Sequence, residues 1–268
     1  MIAGMPTAIV TGANHGIGAA TARALAANGA SVLLSYLGVN DPVDPGTPAA
    51  YREGRAAGAE HVVRRITEAG GCAAAVPADL AAPETPAMLF DEAEQRFGPV
   101  DILVNNASGW VQDTFVGADT DPHGRGMQPV SRETFDQQFA VDARAAALLI
   151  AELARRHRER GASWGRIVGL TSGSTMGFPS EVSYGAAKAA QENYTMAAAL
   201  ELGDLGITAN IVYPPVTDTG WVTDEIRAHV AASAEHFTVA EPEQVAEVIA
   251  YLCSDAAGLI TGNVIRLR

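Results

Sequence analysis

The chain has 268 residues, 48% of them hydrophobic, which suffices for one large α/β core as well as for two smaller ones. Its formal net charge is -13 at pH 7 and no block of lysine or arginine interrupts the acidity. That balance excludes an extended nucleic-acid or anionic-membrane surface, so any anionic ligand needs a local site.

The amino end carries neither a basic flank nor a cleavage pattern, and no run approaches ~18 uninterrupted apolar residues, so a cytoplasmic protein is expected. Residues 7–11, Thr-Ala-Ile-Val-Thr, form a short apolar run rich in β-branched residues that reads as a buried strand, and a helix over 17–28 follows at once. Further strands are predicted at 31–36, 72–76, 101–105, 165–171, 207–213 and 263–267. Further helices are predicted at 50–69, 84–97, 132–159, 183–203, 222–233 and 242–254, with Gly29, Gly98 and Gly161 as stop signals and Ser131 as an amino-terminal cap. Strand and helix in alternation imply an α/β fold, a doubly wound parallel sheet of about seven strands with helices on both faces. No linker divides 1–268, which reads as a single domain.

Two stretches are longer than this plan requires. Residues 37–58 include Asp41-Pro-Val-Asp-Pro-Gly-Thr-Pro48, whose prolines and glycine predict an irregular loop. Residues 109–130 read as a second long loop, in which Trp110, Phe115 and Met127 either line a substrate pocket or anchor the loop to the core. Cys72 and Cys253 sit in separate apolar segments without metal-ligand spacing, so both read as buried thiols and no metal site is expected.

Chemistry is concentrated in two places. The first strand leads into Thr11-Gly-Ala-Asn-His-Gly-Ile-Gly18. Glycines there permit a tight turn and let bare backbone approach a pyrophosphate, while the following helix offers unpaired N–H groups and the positive end of its dipole. The second place is 171–188, where Tyr184 and Lys188 stand four residues apart at the head of an alanine-rich run and so share a helix face. A free phenol ionises near pH ~10, so a tyrosine exchanges protons at neutral pH only if a nearby positive charge stabilises its phenolate. Lys188 can supply that charge, and the hydroxyl of Ser172, with Ser174 and Thr171 as stand-ins, can hold a carbonyl or alcohol oxygen beside the phenol. Taken alone, a Tyr-x-x-x-Lys pair is more often a surface tyrosine and a solvated lysine.

Together the two stretches resemble the short-chain dehydrogenase/reductase family, whose members carry Thr-Gly-x-x-x-Gly-x-Gly near the start and Tyr-x-x-x-Lys about two-thirds along. Asn105-Asn106-Ala107 is similar to the family's Asn-Asn-Ala-Gly turn, with Ser108 in place of its glycine. Asp79 and Leu80 stand where the family holds the adenine ring, and Gly165-Arg-Ile-Val168 resembles the strand that leads to its catalytic serine. Pro214, Val216 and Thr217 lie in a segment that resembles the Pro-Gly stretch whose following threonine touches the nicotinamide amide. The resemblance covers essentially the whole chain. It implies a Rossmann-type fold, a nicotinamide dinucleotide, and hydride exchange with a carbonyl or alcohol carbon of a small molecule. It further implies that Tyr184 exchanges the proton with the substrate oxygen, Ser172 orients that oxygen, and Lys188 lowers the phenol pKa and holds the nicotinamide ribose. Asp142 occupies the place of a fourth catalytic residue, usually asparagine. The cofactor would run along Gly12, Asn14, His15, Gly16, Ile17, Gly18, Tyr36, Asp79, Leu80, Asn106, Ala107, Ser108, Pro214, Val216 and Thr217 to Tyr184 and Lys188. Members commonly form dimers or tetramers through the helices that here carry Ala145-Ala-Ala147 and Ala197-Ala-Ala199, so a homo-oligomer is expected.

Tyr36 ends the second strand, where an acidic residue would accept hydrogen bonds from the adenosine ribose and repel a 2'-phosphate. Its identity tips the expectation towards NADP, with NAD the other candidate. His15 would add partial positive charge, and Arg52 and Arg55 either reach the phosphate or lie on a solvated helix face, with the 37–58 loop beside the adenosine end. Pro215 replaces a usual glycine, which fixes φ and removes an N–H. Two readings of another class are a nucleotide-binding sensor that has lost turnover and a lyase-like relative without redox chemistry. Both usually lose motif residues, whereas Gly12, Gly16, Gly18, Tyr184 and Lys188 are all present, which favours a redox enzyme.

Overall fold

Seven short apolar runs, all but the last followed by helix-forming sequence, pair in parallel in the computed structural model, which describes residues 5–172, 177–233 and 237–268. In chain order the first half contains β1 (Thr7–Thr11), α1 (Gly16–Ala27), β2 (Ser31–Tyr36), α2 (Ala49–Ala56), α3 (Glu60–Glu68), β3 (Cys72–Pro77), α4 (Thr85–Phe97) and β4 (Val100–Asn105). Two short strands follow, β5 (Asp113–Thr114) and β6 (Gln128–Pro129), then α5 (Arg132–Phe139), a π-helical turn Ala140–Ala145 and α6 (Ala146–Glu159). The remainder is β7 (Gly165–Leu170), α7 (Val182–Glu201), β8 (Ile207–Tyr213), α8 (Asp224–Ala232), α9 (Pro242–Leu252) and β9 (Val264–Arg266). The main sheet runs β3-β2-β1-β4-β7-β8-β9 with every pairing parallel. Strand order reverses between β1 and β4, so the loops leaving these two strands diverge and open a crevice at their carboxyl ends.

A parallel sheet is buried on both faces, and β1 is buried at all its positions. Ala8 and Val10 join the core completed by α1, α3 and α9, whereas Ile9 between them joins the core under α4, α6 and α7. That alternation is the period of two of a strand. No described helix is long and apolar enough to cross a membrane.

Ser131 caps α5 as expected: its Oγ accepts from Thr134 N at 3.2 Å while Thr134 Oγ1 accepts from Ser131 N at 3.0 Å. Six features differ from expectation. The predicted helix 50–69 is two helices, broken at Ala57, which is extended (φ -69°, ψ 150°). Asn14 Nδ2 donates to the carbonyls of Gly54 (3.1 Å), Arg55 (3.4 Å) and Ala57 (2.9 Å), drawing the end of α2 towards the turn after β1. The 37–58 segment is therefore not irregular throughout, since it contains α2. The helix 132–159 is interrupted by its π turn, the 109–130 segment pairs β5 with β6, and the last predicted helix but one starts at Asp224, where Thr223 Oγ1 accepts from Ile226 N at 3.4 Å. Cys72 is exposed, because β3 is an edge strand, whereas Cys253 is buried.

Candidate active site

The turn after β1 has room for backbone only. Gly12 adopts φ +63°, and a Cβ there would lie 2.8 Å from Ala107 Cα; a Cβ at Gly18 would lie 2.3 Å from the Gly12 carbonyl oxygen. Thr11 and Asn106 lock this turn to the one after β4. Thr11 Oγ1 accepts from the amides of Asn106 and Ala107, both at 3.0 Å, and Asn106 Nδ2 donates to the carbonyls of Thr11 (2.8 Å) and Gly12 (2.9 Å). The amino end of α1 therefore opens onto a cavity of about 500 Å³. Bordering it are Gly12, Asn14, His15, Gly16, Ile17 and Gly18, then Tyr36, Asp79 and Leu80, then Asn106, Ala107, Ser108 and Tyr184. A bare turn at a helix N-terminus fits a diphosphate, and the volume falls within the ~300–1,000 Å³ of small-molecule and cofactor sites.

Four residues expected at the cofactor do not border this cavity: Lys188, buried behind Tyr184, and Pro214, Val216 and Thr217. Thr217 donates its hydroxyl to its own neighbour, the Pro215 carbonyl, at 2.9 Å, and Val216 accepts from Ala240 N at 2.8 Å, so with Pro214 this stretch is tied back against 240. Thr219 borders the cavity instead, packed against Gly16. His15 supplies no positive charge at neutral pH: burial, then Arg55 and His61, lower its pKa to about 4. Nor is the 37–58 segment confined to the adenosine end, because Tyr51 and Arg55 of α2 border the same cavity as Tyr184. Arg55 is not on a solvated face; its Nε lies 2.5 Å from Asp41 Oδ2, and its side chain is 12% exposed. Arg52 does not border the cavity, and its Nε is buried without a hydrogen-bond partner. Of the three candidates in 109–130 only Trp110 lines the cavity; Phe115 is 80% exposed and Met127 lies elsewhere.

The first turn of α7 is fixed by Asp113, which accepts from both the amide of Ser183 (2.8 Å) and its hydroxyl. Tyr184 follows, half-buried in the cavity wall. Desolvation raises the pKa of its phenol most, followed by the negative charges of Asp142 and Glu181, while a hydrogen bond with Ser172 acts in the opposite direction. Ser172 is thus the serine brought to Tyr184; the Thr171 amide donates to Val212 O at 3.0 Å, and Ser174 lies outside the described residues. Lys188 Nζ stands 5.8 Å from the centre of the Tyr184 ring, but it also lies 2.9 Å from Asp142 Oδ1 and donates to Gln191 Oε1 at 3.0 Å. The other oxygen of Asp142 accepts from Gln138 Nε2 (2.6 Å), Gly109 N (2.9 Å) and Ser108 Oγ (3.2 Å). The π turn directs this carboxylate inward, and both partners of the ion pair are almost fully buried. The lysine field expected to lower the phenol pKa is therefore opposed at close range, and the net direction at Tyr184 is upward.

Sequence reasoning missed Gln138 and Gln191, although their spacing carries a signal: four residues before Asp142 and three after Lys188, each on the same helix face as its partner. It also missed Glu181, buried beside Arg125 and the Trp110 indole N–H, and Tyr51, whose segment is dominated by proline and glycine.

A family model described as enoyl-(acyl carrier protein) reductase matches residues 12–267. The chain is 34% identical over 262 residues to cis-4-hydroxycyclohexanecarboxylate dehydrogenase of Sinomonas cyclohexanicum, covering 96% of this chain and 93% of that protein. It is 31% identical over 261 residues to the uncharacterized oxidoreductase YjdA of Bacillus subtilis (strain 168), with coverage of 96% and 93%. The solved structure of the angucycline C-6 ketoreductase LanV with bound NADP is similar with a TM-score of 0.77 at 31% identity, covering 97% of this chain and 93% of that one. Likeness along the whole length of both partners, added to a bare glycine turn and Tyr184 on one cavity with Lys188 buried behind it, assigns the protein: it belongs to the short-chain dehydrogenase/reductase family of oxidoreductases.

Proposed function

We propose that the protein interconverts a carbonyl and an alcohol with a nicotinamide dinucleotide, using Tyr184 as general acid and base. The observation that carries this reading is the placement of Tyr184, with Ser172 beside its phenol, at the wall of the cavity onto which the glycine turn opens. A bound nicotinamide cofactor would supply or accept the hydride. In this reading the amides at the start of α1 hold the diphosphate and Ser172 orients the substrate oxygen. Tyr184 gives that oxygen a proton in reduction and takes one in oxidation, while Lys188, fixed by Asp142 and Gln191, holds the nicotinamide ribose.

NADP is the favoured cofactor, since Tyr36 replaces a repelling carboxylate and a similar structure carries NADP. NAD is the second reading, favoured by one contact: the Tyr36 hydroxyl donates to Glu60 at 2.9 Å, which brings a carboxylate back to the end of β2. Two relatives named for ring-borne alcohols or ketones, together with the Trp110 wall, make cyclic ketones and alcohols the first substrates to try. Titration calorimetry with NADP, NADPH, NAD and NADH should give saturable heat for at least one pair. Absence of heat with all four would sink the redox reading, and binding without any absorbance change on the substrate panel would favour a sensor.

A homo-oligomer is also proposed, on different grounds from the alanine clusters. Ala145, Ala146, Ala198 and Ala199 are buried within the subunit. Larger apolar side chains on α5 to α7 face outward instead: Phe135, Leu148, Tyr194 and Leu200 are all exposed. Light scattering at micromolar concentration should give a multiple of 27.8 kDa, and a monomeric mass would refute this.

A further inference from the structure

The segment between β2 and α3 folds back across the cleft and is held on three sides. Asn14, in the glycine turn, binds the carbonyls at the end of α2. On a second side the two long segments dock on each other: Asp44 accepts from Gly126 N at 3.0 Å, and a Cβ at Gly46 would lie 2.4 Å from Arg125 N. On the third, a Cβ at Gly220 would lie 3.2 Å from Tyr51 N, so α2 rests directly on the segment after β8.

This placement sets one charge where the cavity lacks it. A diphosphate carries two negative charges, and the chain as a whole carries -13. Among the described residues bordering the cavity, Asp79 is acidic, His15 is neutral at pH 7, and Arg55 is the one permanent cation. Its guanidinium carbon lies 5.8 Å from the centre of the Tyr51 ring and 6.0 Å from that of Trp110. The Tyr51 ring in turn stands edge-on to His15 at 6.0 Å, which sets Arg55 on the glycine-turn side of the cavity. A 2'-phosphate would hang from the ribose at the end of β2, near Tyr36.

We propose that α2 is a clasp over the cofactor diphosphate, with Arg55 as its anion-binding residue and Asp41 as the carboxylate that pairs with the guanidinium until the anion arrives. The proposal rests on the reading of the cavity as a nicotinamide dinucleotide site. A guanidinium matches two phosphate oxygens at once, which adds geometric selectivity to charge.

The test is to measure dissociation constants of NADH, NADPH, ADP-ribose and adenosine for wild type, Arg55→Gln, Arg55→Lys and Asp41→Asn. Arg55→Gln should weaken the three diphosphate ligands about tenfold, with a shallower salt dependence, and leave adenosine unchanged. Arg55→Lys should keep the salt dependence but recover only part of the affinity, because an ammonium supplies the charge without the two-pronged fit. Asp41→Asn frees the guanidinium and should tighten ADP-ribose about threefold, an effect that misfolding cannot imitate. Three results overturn the proposal: Arg55→Gln within twofold of wild type for ADP-ribose, an equal loss for adenosine, or a loss confined to NADPH, which would put Arg55 on the 2'-phosphate. Equal or weaker ADP-ribose binding by Asp41→Asn overturns it as well. If wild type binds none of the dinucleotides, the reading of the cavity itself has failed and the clasp falls with it.

Discussion

Tyr184→Phe is expected to lose about 10³-fold in turnover, within the range for removal of a general acid or base, while its affinity for the dinucleotide stays near that of wild type. The ring has neighbours that phenylalanine preserves: Phe178 with its centroid at 5.8 Å and Lys188 Nζ at the same distance from the ring centre. Only the hydroxyl beside Ser172 is lost, so the cavity keeps its shape. Single-turnover kinetics with a cyclic ketone would report the chemical step, and calorimetry would report binding. Retained turnover would move the acid elsewhere, first to Tyr51, which borders the cavity as Tyr36 does and, among these, lies close enough to Tyr184 to influence its ionisation. The pH dependence has a definite sign. Burial and two carboxylates hold the Tyr184 pKa above its ordinary 10.0, so the phenol stays protonated throughout the neutral range. Reduction, which uses the protonated form, should show no loss from this group between pH ~6 and ~9, whereas oxidation, which needs the phenolate, should rise with pH.

The sheet and the glycine turn were legible in the sequence because their constraints are local. Ala8, Ile9 and Val10 are apolar on both faces, as a central parallel strand requires, and a turn with no room for Cβ at Gly12 or Gly18 must be written in glycine. Tyr184 and Lys188 share a face simply because α7 is a helix. What escaped depends on contacts far apart in sequence. The eight residues of α2 are too few to form a stable helix alone; they are held by Asn14, some 40 positions earlier, and by the segment at Gly220, while the loop before them docks on 124–126. Exposure of Cys72 follows from strand order, which its own apolar neighbours do not disclose. Thr219 rather than Thr217 reaches the cavity because the chain after Pro215 is tied to Ala240 before it turns. The π turn inserts a residue into a sequence whose apolar period gives no sign of it, and that extra residue is what aims Asp142 at Lys188.

That ion pair leads to the second large effect. Lys188→Met should destabilise the fold by ~3–5 kcal/mol, because it leaves the buried carboxylate of Asp142 without its counter-charge. Asp142→Asn should also destabilise the fold. With its carbonyl accepting from Gly109 N and Ser108 Oγ, its amide nitrogen faces the buried Lys188 ammonium, which keeps only its bond to Gln191 Oε1 at 3.0 Å. The double variant should recover part of the loss seen in Lys188→Met, which urea denaturation of the four proteins would measure as a coupling energy. The same substitution tests the charge argument at Tyr184. Asp142 is the largest influence on that phenol after desolvation, and it raises the pKa, so Asp142→Asn should lower it. Alcohol oxidation should then rise at a lower pH than in wild type, and the alkaline limit of carbonyl reduction should fall with it. Superimposable pH profiles would refute the charge argument and leave Asp142 a purely structural acceptor inside the π turn. The two measurements constrain each other. A Lys188→Met variant as stable as wild type would mean that Asp142 carries no charge in need of a partner, and a carboxylate without such a charge cannot be what holds the phenol of Tyr184 high.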